Sequence, residues 1–287
     1  MSGAALPARD RRWSWVRDTR GRTLILAGAC TAFLLLIIAG AYALGETGLH
    51  TNFMARAQPP SLTHPFGTDP LGRDLFARTV KGLTVSMWVG LLAASASTCI
   101  AVSLALAAVT LGRAADAMVA MLVDMCLGIP HLVLLIMIAF VMGGGVTAVI
   151  AAVALTHWPL LTRILRAELL QVLRSDYVQA SRRFGKGRGF VARRHLLPHA
   201  IPQLLVGLVL LFPHAILHEA ALTFIGFGIE PTRPAIGTLL SDSLRSLAAG
   251  QWWLGVFPGL ALLVLVLAFD GVAGGIRASL SARLAQD

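Results

Sequence analysis

The chain has 287 residues, of which 56% are apolar and only 13% charged, and its mean hydropathy is +0.75. Soluble domains carry roughly 25% charged residues, so these totals exclude an ordinary water-soluble enzyme and point to a bilayer. The net charge of +10 suggests nucleic acid, but the basic residues sit in short segments between apolar runs and not on one face; orientation in a membrane accounts for them.

Residues 1–23 carry Arg9, Arg11, Arg12, Arg17, Arg20 and Arg22 and read as a cytoplasmic tail. The charge-free run 24–44 meets the roughly 20 residues that a span needs at about 1.5 Å rise each. Ala41-Tyr42-Ala43 resembles a signal-peptidase site. The run exceeds the roughly 7–15-residue core of a signal peptide, so an uncleaved anchor is expected. Residues 45–81 form an outer segment, and the charge-free run 82–111 is a second span. The next apolar stretch is too long for one helix and is interrupted by Gly143-Gly144-Gly145, giving spans at 117–142 and 146–165. A fifth follows at 200–224 and a sixth at 251–276, leaving 277–287 as a tail. The expected fold is an all-α polytopic bundle of six transmembrane helices, with 82–276 as a five-helix core that includes the loop 167–198.

With the N-terminus inside, 18 of the 24 lysines and arginines fall on cytoplasmic segments, which places both termini in the cytoplasm. Arg56, Arg73, Arg78 and Lys81 are exceptions in the outer segment. Cys30, Cys99 and Cys126 lie in apolar stretches without metal-ligand spacing and read as small apolar helix residues. Small residues such as Ala93-Ala94-Ser95-Ala96-Ser97 let helices approach closely in lipid.

The 167–198 loop is the most informative stretch. Tyr177, Ala180, Ser181 and Phe184 fall at i, i+3, i+4 and i+7, one face of a helix, with Gln179, Arg182 and Arg183 on the other. Gly185, Gly187 and Gly189 break it, and a second short element leads to Leu197-Pro198. A short amphipathic helix in such a loop either lies on the bilayer or docks into a partner.

The spacing Gln179-Ala180-Ser181, Gly185, Leu197-Pro198 resembles the EAA loop of binding-protein-dependent ABC importers. Gln179, Ser181 and His195 depart from that pattern, where Glu, Ala and an aliphatic residue are usual. Phe66-Gly67-Thr68-Asp69-Pro70-Leu71-Gly72-Arg73-Asp74 resembles the FGTDxxGRD signature of C-type permeases in dipeptide, oligopeptide and nickel importers. Asp69 suits an N-cap there, Pro70 the first helical position, and Asp74 and Arg78 an i,i+4 pair. The stretch from Leu222 to Pro231 and Phe257-Pro258-Gly259-Leu260 resemble further segments of that family. The resemblance covers residues 24–280 and implies the type I ABC importer permease fold in a bacterial inner membrane. It implies that Tyr177, Gln179, Ala180, Ser181, Arg182, Arg183, Phe184, Gly185, Leu197 and Pro198 couple to the ATPase. It further implies a second homologous permease, two ATPase subunits and a periplasmic or lipid-anchored solute-binding protein as partners. ATP and Mg²⁺ would sit in the ATPase subunits, with no cofactor on this chain.

For cargo, His157-Trp158 and His214, His218 and Glu219 resemble nickel-type permeases, which favours nickel, cobalt or a metal chelate over a peptide. His214 and His218 share a helix face, imidazole suits such ions, and ionisable groups in spans are functional candidates. Interhelical hydrogen bonding is nevertheless the expected role of these histidines, with direct metal contact as the alternative. Asp124 joins His157, His214, His218 and Glu219 as a substrate-path candidate, although a buried hydrogen-bonding hub is its expected role; Asp270 is expected near the cytoplasmic end. Trp252 and Trp253 read as an interfacial belt. A secondary transporter would need ion sites at broken helices, and only Gly143–Gly145 offers an obvious break. An enzyme is disfavoured because the chain lacks HExxH, GxSxG and GxxxxGK[ST] patterns.

Overall fold

Hydrocarbon offers no partner to a peptide N–H or C=O, so an apolar chain of this composition satisfies its backbone within helices. The computed structural model describes residues 19–284; residues 1–18 and 285–287 lie outside the described part, and with them Arg9, Arg11, Arg12 and Arg17 of the basic leader. Ten helices follow in order: α1 (Thr19–Ala43), α2 (Leu75–Leu111), α3 (Arg113–Gly128), α4 (His131–Val141), α5 (Gly145–Leu173), α6 (Asp176–Arg183), α7 (Arg188–Val191), α8 (Leu197–Ile225), α9 (Ile236–Leu247) and α10 (Trp253–Leu284). Five stretches are long and apolar enough to cross a membrane, and α3 with α4, bent by 95° at their junction, has the length and composition of a broken span or a re-entrant loop.

That bend separates the structure from the single span expected at 117–142. The ring of Pro130 disfavours helical backbone at Ile129, and Ile129 is extended at φ −92° and ψ 135°. The glycine break lies where it was expected. Gly143, Gly144 and Gly145 all have left-handed φ, between +76° and +86°, and the Gly145 N–H donates to the Gly228 carbonyl at 2.9 Å.

Helices α2 and α5 pack along one another through small residues. Ala93, Ala101 and Ala105 of α2 and Ala148 and Ala152 of α5 are wholly buried, the close approach that lipid-embedded helices need. A methyl group on Gly90 would stand 2.7 Å from Ile216 Cγ1 of α8. Hydroxyls in these helices turn back to their own backbone: Thr98 donates to Ala94 O, Thr156 to Ala152 O and Thr162 to Trp158 O. Helix α1 lies at the edge, with much of its apolar surface exposed and Leu34 and Ile37 buried.

The 45–74 stretch folds into a knot around Asp69. Its Oδ1 accepts from the Leu71 and Arg73 N–H groups, both at 2.9 Å. Its Oδ2 accepts from Arg73 Nε at 2.7 Å and from Arg78 Nη1, with Arg78 only 2% exposed. Asp69 is therefore not an N-cap. Asp74 caps α2 by accepting from Ala77 N, and its other oxygen takes His64 Nδ1 at 2.8 Å, so the Asp74–Arg78 pair does not form. Gly72 makes the loop possible: φ is +73°, and a Cβ there would meet Asn52 O at 1.8 Å. Trp253 Nε1 donates to Thr68 O at 3.3 Å. Trp253 is buried and Trp252 exposed, so the two tryptophans do not form one belt. Of the four basic residues expected outside, Arg73 and Arg78 share the Asp69 carboxylate and Lys81 donates to Thr47 O.

A buried ion pair that loses one partner leaves an uncompensated charge, a loss of about 3–5 kcal/mol. Asp69→Ala and Arg78→Ala are each expected to destabilise the detergent-solubilised protein on that scale, with Asp69→Ala/Arg78→Leu costing less than the sum. Unfolding temperatures measure this, and an Asp69→Ala protein as stable as the parent would contradict it.

Candidate functional site

Two features stand apart from the packed bundle. The first is the loop between α5 and α8. Asp176 lies in the first turn of α6 and Arg182 and Arg183 in its last, both favourable to the helix dipole. Val178 is wholly buried and anchors α6 in the cluster that includes Leu169, Val172, Val191 and Leu196. Tyr177, Gln179, Ala180, Arg182, Arg183 and Phe184 face outward, and Phe184 is 84% exposed. The chain ends α6 at Gly185, φ +77°, with the Lys186 N–H returning to Ser181 O at 3.1 Å. Leu197 is half-buried and Pro198 exposed, at the start of α8, where a proline's missing N–H costs nothing.

Of the face expected from Tyr177, Ala180, Ser181 and Phe184, three members are exposed and Ser181 turns inward. Its hydroxyl lies 2.9 Å from His195 Nε2. Two of the three residues that depart from the EAA pattern therefore hold each other. The His195 ring also meets Tyr177 and Phe190, at centroid distances of 5.5 and 5.8 Å, and Lys186 Nζ sits 5.1 Å above the Phe190 ring. Gln179 donates to Leu173 O at 3.1 Å, tying α6 to the end of α5.

The second feature is a cavity of about 450 Å³ between α4, α5 and α8, lined by His131, Thr156, His157, His214 and His218 among apolar residues. The rings of His131, His157 and His218 meet edge to face, with centroids 4.6, 4.8 and 4.9 Å apart. His157 Nδ1 bonds to Val153 O at 2.9 Å and His218 Nδ1 to His214 O at 2.7 Å. These are carbonyls of their own helices, so the histidines do not hydrogen-bond across helices. His214 lines the cavity one turn before His218 but lies outside the three-ring group. His131 was not singled out from sequence. Its signal was an ionisable residue in an uncharged stretch directly after a proline.

The remaining candidates lie elsewhere. Glu219 is wholly buried, accepts from the Thr223 hydroxyl at 3.0 Å and does not line the cavity. Thr223 in turn accepts from the Ile229 N–H, so Glu219 braces the turn that follows α8. Asp124 is exposed, not a buried hub, and pairs with Arg163 at 2.6 Å. Asp116 and Arg166 make a second strap between α3 and α5. Asp270 is exposed on α10. Gly67, Thr68, Asp69, Gly72, Arg73 and Asp74 form the knot described above. Cys30, Cys99 and Cys126 are free thiols.

Residues 97–281 match the family described as "Binding-protein-dependent transport system inner membrane component". The chain belongs to this family. The permease is 37% identical over 227 residues to a protein named as a peptide permease in Brucella suis, an alignment covering 79% of this chain and 75% of the relative. It is 36% identical over 234 residues to a protein named as a peptide transport system permease in Brucella abortus, covering 82% and 78%. It is 31% identical over 273 residues to the dipeptide transport system permease protein DppC of Bacillus subtilis, covering 94% and 85%. The permease is thus the multi-pass membrane component of a binding-protein-dependent ABC importer, which works with ATPase and solute-binding partners.

A hydrogen bond of the Ser181–His195 kind contributes about 0.5–1.5 kcal/mol. Ser181→Ala and His195→Ala are each expected to destabilise the permease by that amount, and the double variant by less than the sum because the bond is lost once. Thermal unfolding of the four proteins checks it; strictly additive losses would contradict the pairing.

Proposed function

We propose that the permease imports short peptides, and that α6 is the coupling helix through which its ATPase partners move it. The exposed face of α6 carries the coupling reading. Phe184, 84% exposed, protrudes beside Arg182 and Arg183 at the end of a helix whose one aliphatic residue larger than alanine, Val178, is buried. An exposed aromatic with flanking arginines is the composition of a binding hot spot. The complete assembly holds a second homologous permease, two ATPase subunits carrying ATP and Mg²⁺, and a solute-binding protein. Closure of the ATPase pair pushes on the Tyr177–Pro198 region, and the α7–α8 continuation carries the motion into the spans, giving alternating access. Both termini lie in the cytoplasm, in keeping with the distribution of Lys and Arg.

The peptide cargo is supported by the names of three relatives at 31–37% identity. They favour peptide uptake over the nickel or chelate uptake that the histidine motifs first suggested. Deleting the permease gene in a strain lacking other peptide importers is expected to abolish uptake of a labelled di- or tripeptide while nickel accumulation stays unchanged. Loss of nickel accumulation with peptide uptake intact would overturn this cargo.

Gly185 separates coupling from folding. No atom lies within 4 Å of a Cβ built there, while φ of +77° strains any side chain equally. Gly185→Ala adds only that strain, about 1 kcal/mol, and is expected to keep most transport. Gly185→Arg adds bulk that only a partner chain can meet, and is expected to abolish transport with normal amounts of permease in the membrane. Equal transport by both variants would contradict a partner seated at this turn.

A further inference from the structure

We infer that His131, His157 and His218 form a binding site for one divalent transition-metal ion, held between the second half of the bent span and helices α5 and α8. One ring nitrogen from each residue lies within 4.8 Å of the other two. Three imidazoles from three helices converge on one point, and each helix brings only one ring. A helix-face pair such as His214 and His218 would have supplied two ligands from one element, but His214 stands outside the group.

The hydrogen bonds prepare these rings as ligands. A carbonyl can only accept, so Nδ1 of His157 and of His218 carries the proton when the ring is neutral. Each Nε2 is then left with a free lone pair. This is the arrangement of metal-binding histidines, whose second nitrogen donates to a carbonyl or carboxylate and fixes the tautomer. His157 Nε2 is sealed from solvent and has no hydrogen-bond partner among the described residues. A buried polar atom without a partner is costly, and an ion at the cluster would satisfy it.

Geometry and setting agree. Metal–nitrogen distances of about 2.0–2.1 Å in a tetrahedral site place ligand nitrogens roughly 3.3 Å apart. The 4.8 Å limit in the permease therefore closes to that spacing by small ring rotations. The cavity beside the rings leaves the fourth position open. Neutral imidazoles without a carboxylate among them favour Zn²⁺, Ni²⁺, Co²⁺ or Cu²⁺ over Mg²⁺ or Ca²⁺. An ion there would link α4 to α5 and α8 directly beside the bend at Pro130. The site does not depend on the cargo, since a peptide importer can hold such an ion as a structural or gating element.

The test uses the assembled transporter in nanodiscs, freed of metal with a chelator and titrated with Co²⁺ without nucleotide. The expected result is one Co²⁺ per copy of this permease, with the visible absorption bands of a tetrahedral nitrogen site. His157→Gln and His131→Gln are each expected to weaken binding at least about tenfold, and His214→Gln to leave it unchanged. His131 opens to the surface, so His131→Gln decides the matter if His157→Gln fails to assemble. Absence of the bands in the parent protein would overturn the site. Co²⁺ binding that survives His131→Gln and His157→Gln, or that is lost in His214→Gln, would overturn it equally.

Discussion

A peptide group in hydrocarbon must find its partner within the protein, and most of this structure follows from that constraint. It makes the apolar runs into helices of up to 37 residues and turns threonine hydroxyls back to the carbonyl one turn earlier. It also restricts where the backbone can leave the helix. At Gly143–Gly145 the freed N–H of Gly145 is met by Gly228 O from another segment. Around Asp69 a single carboxylate receives two backbone N–H groups and two arginines. Departures from helix in this permease are thus anchored by named polar partners.

Function concentrates where the same constraint is relaxed. Helix α6 hangs outside the apolar bundle, held on its inner face by buried Val178 and by Ser181 on His195, and its outer surface is exposed. The polar cross-link Ser181–His195 joins α6 to the segment that leads into α8, the connection that the proposed coupling requires. At the Pro130 bend the backbone turns by 95°, and three histidines gather beside it. The exposed face of α6 and the imidazole cluster occupy different elements, and α8, which follows the α6 loop, carries His218.

Much of this was legible in the residues. Uncharged runs located the spans, the glycine triplet located one break, and the spacing from Gln179 to Pro198 located the loop that carries α6. The Pro130 bend was not legible, because proline alone is ambiguous in a span. Pro159, Pro202, Pro213 and Pro258 all sit inside unbroken helices. Pro130 follows Gly128 and Ile129, and glycine removes both helix propensity and side-chain contacts at the same turn. Missing the bend hid His131, whose neighbours His157 and His218 are far away in sequence. The roles of Asp69 and Asp74 were exchanged for a similar reason. Both can cap a helix, and the choice between them is made by Gly72 passing beside Asn52, a contact across the knot. Helix α9 went unread although Ile236, Leu239 and Ser243 are buried at helical spacing, because it lies between turn residues and is too short to span.

The central claim, that the outer face of α6 receives the force of ATP hydrolysis, is tested most directly by proximity in the working complex. A photo-crosslinking residue placed at Phe184 of the membrane-embedded transporter, illuminated with and without ATP, identifies what touches that position. The account predicts an adduct with an ATPase subunit whose yield changes with nucleotide. Adducts with lipid alone would contradict it and return α6 to the bilayer surface.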